Sequence, residues 1–162
     1  MPEVRLARPD GFDALPALEQ AADEIFVTVG ISAVFDPATP AVYAAALAVL
    51  VVGDPPFGRA RIEEVDGAAH LEQLAVHPAQ GRHGVGRALV EAACQWAIEH
   101  GYRAMTLVTY RYIAWNGPFY ASAGFSAVSE LSPGLAEVWR EDTEDRPARY
   151  GSRVVMRRAL AP

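Results

Sequence analysis

The apolar residues of this chain change period several times, and each change predicts an element. Val4 to Ala7 reads as a short first strand, turned at Pro9-Asp10-Gly11. Phe12, Leu15, Leu18, Ala22, Ile25 and Phe26 recur at helical spacing and predict one helix from about Phe12 to Phe26, broken by Gly30. Val34 to Thr39 is irregular. Thr39, an N-cap type, with Pro40 in the first helical position starts a second helix that runs to about Ala48. Val49 to Val52 is a second strand and Gly58 to Val65 a third, separated by the turn Asp54-Pro55-Pro56. Asp66-Gly67 is a hairpin signal, joining the third strand to a fourth.

The fourth strand, His70 to Val76, opens the stretch to which the rest of the chain is referred. Pro78 ends it, since proline has no N–H for a ladder. A glycine-rich turn follows from Gly81 to Gly86. Val85, Ala88, Leu89, Ala92, Ala93, Trp96 and Ala97 then recur at helical spacing up to Gly101. Within the strand, Leu71 falls on one parity and Leu74 and Val76 on the other. Either a β-bulge near Glu72-Gln73 re-aims the later side chains, or the strand is buried on both faces.

Strand, glycine turn and helix together form an anion cradle. Glycine allows close backbone approach, and the first helical turn leaves N–H donors without partners in a region of partial positive charge. Arg82 and Arg87 flank it with full charges.

Past Gly101, Met105 to Thr109 is a fifth strand. Strand–helix–strand order implies a crossover, hence a parallel fourth and fifth strand. Asn116, Pro118 and Gly124 bound a short helix. Phe125 to Ser129 is a sixth strand, Pro133 to Asp142 a helix, Glu141 to Arg149 a charged solvated loop, and Arg153 to Ala159 a last strand. With no repeat, linker or low-complexity run, residues 1–162 read as a single domain.

Composition narrows the function classes. The net charge of −6 argues against general nucleic-acid binding. All 14 basic residues are arginine, which removes Schiff-base chemistry and a P-loop lysine. Cys94 is the single cysteine, mid-helix among apolar neighbours, and reads as a buried structural thiol. No His/Cys/Asp/Glu spacing suggests a metal. The longest apolar run, Ala41 to Val52, is shorter than the ~20 residues a membrane helix needs. With no signal peptide at Met1-Pro2-Glu3-Val4-Arg5, a cytoplasmic location is expected.

Two motifs point further. Gly84-Val85-Gly86 after the fourth strand resembles motif A of the GNAT N-acetyltransferase superfamily, Arg/Gln-x-x-Gly-x-Gly/Ala; the first position falls on Gly81, with Gln80 one residue early. Phe119, Tyr120, Gly124 and Phe125 match Phe-Tyr-x-x-x-Gly-Phe of its motif B. The resemblance implies the GNAT acyl-CoA N-acyltransferase fold, a mixed α/β (α+β) architecture. Its central sheet of about seven strands is mostly antiparallel, with a parallel, splayed fourth/fifth pair and helices on both faces.

It also implies a chemistry. Acetyl-CoA, as cosubstrate, would lie between the splayed strands. Backbone groups along Leu74, Ala75 and Val76 would pair with the pantetheine arm, as in strand addition. The pyrophosphate would rest on Arg82, His83, Gly84, Val85, Gly86 and Arg87. The Leu74 N–H would face the thioester oxygen. Tyr120 falls on the general-acid position; its bland alternative is an aromatic packing residue. Asn116 either contacts the coenzyme arm or only caps its helix. Glu72 is the first choice of general base, on the same strand face as His70, the second; Glu24 is a third. The bland alternative for Glu72 is a solvated strand charge.

The expected reaction is acetyl transfer from acetyl-CoA to a primary amine of a small molecule or peptide, with no nucleic-acid or membrane partner and a homodimer left open. Glu19 and Asp23 share a helix face. With Glu24 and Glu72 they would make an acidic entrance favouring a cationic acceptor, against the alternative that this face is merely solvent. A non-enzymatic acyl-CoA sensor on the same fold is one competing reading. An unrelated nucleotide-binding module is another, but it leaves residues 119–125 unexplained.

Overall fold

The computed structural model describes residues 2–29, 38–144 and 152–161. Seven strands form one sheet: β1 (Val4–Leu6), β2 (Ala48–Val52), β3 (Gly58–Val65), β4 (Ala68–Val76), β5 (Ala104–Tyr110), β6 (Ser126–Ala127) and β7 (Arg153–Ala159). Their order is β1-β2-β3-β4-β5-β7-β6. The ladder between β4 and β5 is parallel, pairing Ala69 with Met105 and His70 with Thr106. β1–β2, β2–β3, β5–β7 and β6–β7 are antiparallel. This is the mixed, mostly antiparallel sheet expected. The helices are α1 (Leu15–Asp23), α2 (Pro40–Ala45), α3 (Val85–Glu99), α4 (Gly117–Ser122) and α5 (Pro133–Glu144). Among the described residues, no helix is long and apolar enough to cross a membrane.

Two compact units emerge, one of residues 1–63 with 71–95 and the other of residues 64–70 with 96–162. In the first, β2 is buried at every position, as a β-branched run on both faces of a sheet should be. Its Val49 and Val51 pack with Leu15 and Leu18 of α1 and Tyr43 of α2. The opposite face receives α3. A Cβ on Gly58 would stand 2.8 Å from Val85 and 3.1 Å from Leu89, so glycine there lets the start of α3 lie close on β3. In the second unit β5 is buried at six of its seven positions and pairs with all of β7, from Ala104↔Ala159 to Tyr110↔Arg153.

Local signals placed several boundaries well. β3 and β7 fall on the expected residues. Asp66 and Gly67 both adopt left-handed backbone, φ 51° and 79°, as a two-residue hairpin turn requires. Thr39 caps α2 by accepting from Val42 N, and Gly101 leaves the α3 end at φ 85°. Cys94 is buried.

Others moved. The first helix is not one piece from Phe12 to Phe26. Only Leu15–Asp23 is α-helical, between 3-10 turns at Pro9–Ala14 and Glu24–Val29. Pro9, Gly11 and Pro16 disfavour a regular start, and Ile25, Val27, Thr28 and Val29 are β-branched. α2 stops at Ala45, where Ala46 turns extended, and the strand begins at Ala48. β6 shrinks to two residues, and α5 continues through Glu144, so Glu141 to Glu144 are helix rather than loop. The expected break at Gly30, the irregular segment over residues 34–37 and the charged loop over 145–149 lie outside the described residues.

Candidate active site

The glycine turn lies wholly in the first unit, and its shape comes from the backbone. His77, at the end of β4, donates its N–H to Phe57 O at 2.8 Å, tying the strand end to the entry of β3. Its ring Nδ1 accepts from Ala79 N at 3.1 Å and shapes a 3-10 turn over Pro78–Gln80. Arg82 then takes φ 65°, unusual for a residue with a Cβ, and Gly84 takes φ 77°. A Cβ on Gly84 would meet no protein atom within 4 Å. Glycine is set there by its backbone angle and by the open space above it, not by packing.

Arg82, His83 and Gly84 are exposed, Gly86 and Arg87 half-buried, and Val85 is buried toward β3. Ala88 N is the donor to Gly84 O at 3.0 Å, so the N–H groups before it precede the intrahelical ladder of α3. Alternating left-handed residues ahead of a helix start form a concavity of N–H groups suited to phosphate oxygens.

Along β4, Ala69, Leu71 and Ala75 are buried, while Glu72, Gln73, Leu74 and Val76 are half-buried. The fully buried apolar residues Ala69, Leu71 and Ala75 keep one parity, with Leu74 and Val76 half-buried on the other. Leu74, Ala75 and Val76 reach the turn directly.

His70 is buried at 1% exposure, with Nδ1 2.7 Å from Thr106 Oγ1 of β5. Glu72 is half-buried. The two proposed bases thus differ sharply in access to solvent, despite sharing a strand. Glu24 is exposed, at the start of a 3-10 turn.

Tyr120 and Asn116 belong to the second unit. A Cβ on Gly117 would stand 2.3 Å from the Arg111 carbonyl oxygen, so only glycine lets α4 begin against that backbone. Asn116 precedes it but does not cap by its side chain. Its backbone carbonyl accepts from Tyr120 N at 2.9 Å, while its Oδ1 is buried with no hydrogen-bond partner. Asn116 thus holds the N-cap position by its backbone alone, and its side chain makes no capping hydrogen bond. A buried amide oxygen lacking a donor is the kind of atom a bound amide or hydroxyl would satisfy. Tyr120 is 7% exposed, in edge contact with Phe119 (5.1 Å between ring centroids) and Phe125 (5.8 Å). Gly124, at φ 95°, ends the helix and turns the chain so that Phe125 can pack back on Tyr120.

The first unit holds Glu72, the turn residues and Leu74, Ala75 and Val76; the second holds His70, Asn116 and Tyr120.

Sequence reasoning missed a buried polar cluster in the first unit. Glu19 of α1 is 3% exposed, accepts from Tyr43 O–H at 2.7 Å and Ala38 N at 3.1 Å, and lies 3.5 Å from Arg59 of β3. Arg59 is fully buried, donates to Gln73 Oε1 at 3.0 Å, and lies over the Tyr43 ring. Burial, reinforced by the Glu19 hydrogen bond, pushes the Tyr43 phenol above its ordinary range, against the pull of Arg59. Glu19 therefore does not line an open acidic entrance; its charge is turned inward and matched. The available signal was a charged residue, Arg59, between the apolar positions of a strand otherwise buried on that stretch. Among the described residues no group of three His, Cys, Asp or Glu side chains could hold a metal.

Comparison with known proteins gives this geometry a context. The chain resembles the N-acetylglutamate synthase of Neisseria gonorrhoeae, solved with coenzyme A and N-acetyl-glutamate (TM-score 0.74, 18% identity), covering 100% of this chain but 36% of that one. The ribosomal-protein-S18-alanine N-acetyltransferase of Escherichia coli matches over 100% of this chain and 96% of its own (TM-score 0.70, 18% identity). The PaiA N-acetyltransferase of Thermoplasma acidophilum, in complex with coenzyme A, matches over 99% of both chains (TM-score 0.71, 12% identity). At these identities the likeness is one of fold. The sequence itself matches the acetyltransferase (GNAT) family over residues 17–125, a span from α1 through α4 that includes the glycine turn and Tyr120. By that match, the chain belongs to the GNAT acetyltransferase family.

Proposed function

We propose that the protein is an acetyl-CoA-dependent N-acetyltransferase that moves the acetyl group to a primary amine by direct attack in a ternary complex. The observation that carries this reading is the turn between β4 and α3. It has left-handed backbone at Arg82 and Gly84, and open space where a Gly84 side chain would stand. That concavity suits the pyrophosphate of a coenzyme A thioester, with Arg82, His83 and Arg87 around it and the backbone of Gly84, Val85 and Gly86 within it. Leu74, Ala75 and Val76 offer the pantetheine arm their backbone, and the Leu74 N–H is assigned to the thioester oxygen. Asn116 Oδ1 is offered to an N–H of the arm.

In the reaction the amine nitrogen attacks the thioester carbon, the C–N bond forms, and the C–S bond breaks. The departing thiolate takes a proton, and Tyr120 is assigned to give it, as a phenol of ordinary pKa, about 10, can; the proton that the attacking nitrogen sheds as the amide forms restores the phenol. The attacking ammonium must first lose a proton. Glu72, half-buried on β4, suits that task better than His70, whose ring is buried against Thr106. The preference for a cationic acceptor loses its main support, because Glu19 is buried and matched by Arg59.

The test is binding and turnover together. Acetyl-CoA should raise the melting temperature where ATP and NAD do not, and it should be consumed with at least one member of an amine panel. Binding without turnover of any amine would make the protein an acyl-CoA-binding module instead; no binding would remove both readings.

A further inference from the structure

The face of β3 turned away from α3 carries a stripe of charge that the proposed chemistry does not use and that the fold satisfies only in part. Arg59, Arg61 and Glu63 share that face by strand alternation. The Nε and Nη1 of Arg59 are buried and have no hydrogen-bond partner, and neither has Nε of Arg61. Three carboxylates stand near, Glu19, Asp23 and Glu63, and none makes a hydrogen bond to these nitrogens. Glu19 already accepts from Tyr43 and Ala38, and lies 3.5 Å from Arg59. Glu63 lies 3.9 Å from Arg61, with its own Oε1 lacking a hydrogen bond. Both separations exceed the roughly 2.7–2.9 Å of a charge-assisted hydrogen bond.

Buried donors without acceptors are rare in native proteins and mark a missing partner. Three such nitrogens on two neighbouring guanidinium groups ask for an anion with more than one oxygen. A planar carboxylate is the group arginine matches best. The stripe is also placed to serve the reaction. Arg59 holds Gln73, the residue before Leu74, at 3.0 Å. Arg61 keeps 13% of its side chain exposed and opens the stripe to solvent.

We propose that Arg59 and Arg61 receive a carboxylate carried by the acceptor, so that the acceptor class is an amine bearing a carboxylate, as in a free amino acid. This rests on the acetyltransferase reading and assigns its acceptor side. Arg61 meets the carboxylate from solvent and Arg59 supplies the deeper donors.

The experiment compares free L-amino acids with the corresponding L-amino-acid amides as acceptors, and titrates N-acetyl-L-amino acids and their amides by calorimetry with coenzyme A present. A site built for a charged group rejects the analogue lacking it, so kcat/KM should favour the acids by about 100-fold or more. Arg61→Met should bring that ratio within about tenfold of unity, and Arg61→Lys should restore part of it. Because Arg59→Met risks misfolding, Arg61→Met carries the test, and a melting-temperature rise with acetyl-CoA certifies that it is folded. Equal use of acids and amides, or a ratio unmoved by Arg61→Met, overturns the carboxylate receptor and leaves the acetyltransferase reading standing. If no amine is turned over, Arg61-dependent binding of N-acetyl acids but not amides supports the receptor while the transferase reading fails. Absence of both turnover and such binding overturns it.

Discussion

At the residue scale, the assignments to Tyr120 and Glu72 separate by what each variant should change. Tyr120→Phe keeps the ring that packs between Phe119 and Phe125 and removes only the hydroxyl. Turnover should fall by about 10²–10⁴-fold, the usual effect of losing a general acid, with acetyl-CoA affinity nearly unchanged. A rate equal to the parent's would reduce Tyr120 to packing. Glu72 works as a base only when ionised, so the rate should rise with pH through its pKa or that of the amine. Glu72→Gln should remove or displace that rising limb, and stopped assays from pH 5 to 9 would read it. An unmoved profile would shift the role to His70, Glu24 or bulk water. His70 is the weaker of these on geometry, since a ring at 1% exposure bonded to Thr106 exchanges protons with solvent only if the strand pair opens.

At the element scale, two contacts decide how well the working parts are held. In the glycine turn, Gly84→Val combines crowding of the ligand with a strained φ of 77°. Gly84→Asn tolerates the left-handed angle better and isolates crowding. Both should raise the Michaelis constant for acetyl-CoA sharply, with Val the worse. Unchanged affinity in both would remove the turn as cradle. The second contact is a cap reaching across the sequence. Asp66, in the β3–β4 hairpin, accepts from Ser132 Oγ and from Gly134 N at 2.8 Å at the start of α5. A Cβ on Gly134 would stand 2.5 Å from the same carboxylate.

The Ser132 hydrogen bond, with the backbone N–H groups of Gly134 and Leu135, holds the Asp66 carboxyl below its usual range. A group whose folded pKa is lowered stabilises the fold above its unfolded value, near 3.9, and that contribution fades as pH falls through the folded value. Asp66→Asn keeps the left-handed turn preference and removes the charge. It should lower the melting temperature at pH 7 and have a shrinking effect toward pH 2. An equal deficit at both ends would mean that the charge contributes nothing.

At the scale of the whole chain, acetyl-CoA should behave as a ligand of the native state alone. At about a hundred times its dissociation constant it should add roughly 2.7 kcal/mol to unfolding free energy. Thermal or urea unfolding against acetyl-CoA concentration would follow that logarithm. A flat response would mean that the native chain does not hold the thioester. The net charge of −6 does not oppose this binding, because the anionic ligand meets a local turn carrying Arg82 and Arg87.

The sequence alone determined whatever depends on neighbours along the chain. The Asp66-Gly67 turn, the Thr39-Pro40 start, the glycine ends of α3 and α4 and the extents of β3 and β7 follow from backbone preferences that act within a few residues. The two motifs were legible for the same reason, being short runs of fixed spacing. Only the tertiary structure decided where charged side chains end. Glu19 and Asp23 share a helix face in the sequence, yet Glu19 is buried because Arg59 and Tyr43, 40 and 24 positions away, wait on the packed side. Asn116, weighed as a helix cap or a contact to the coenzyme arm, holds the N-cap position by its backbone and keeps a buried side-chain oxygen without a partner. The hairpin tip caps a helix 68 residues further on. For Glu19 and Asn116 the deciding energy is the desolvation of a polar group, and for the exposed Asp66 it is the hydrogen bonds it accepts; in each case the partners are ones that only the folded chain brings within reach.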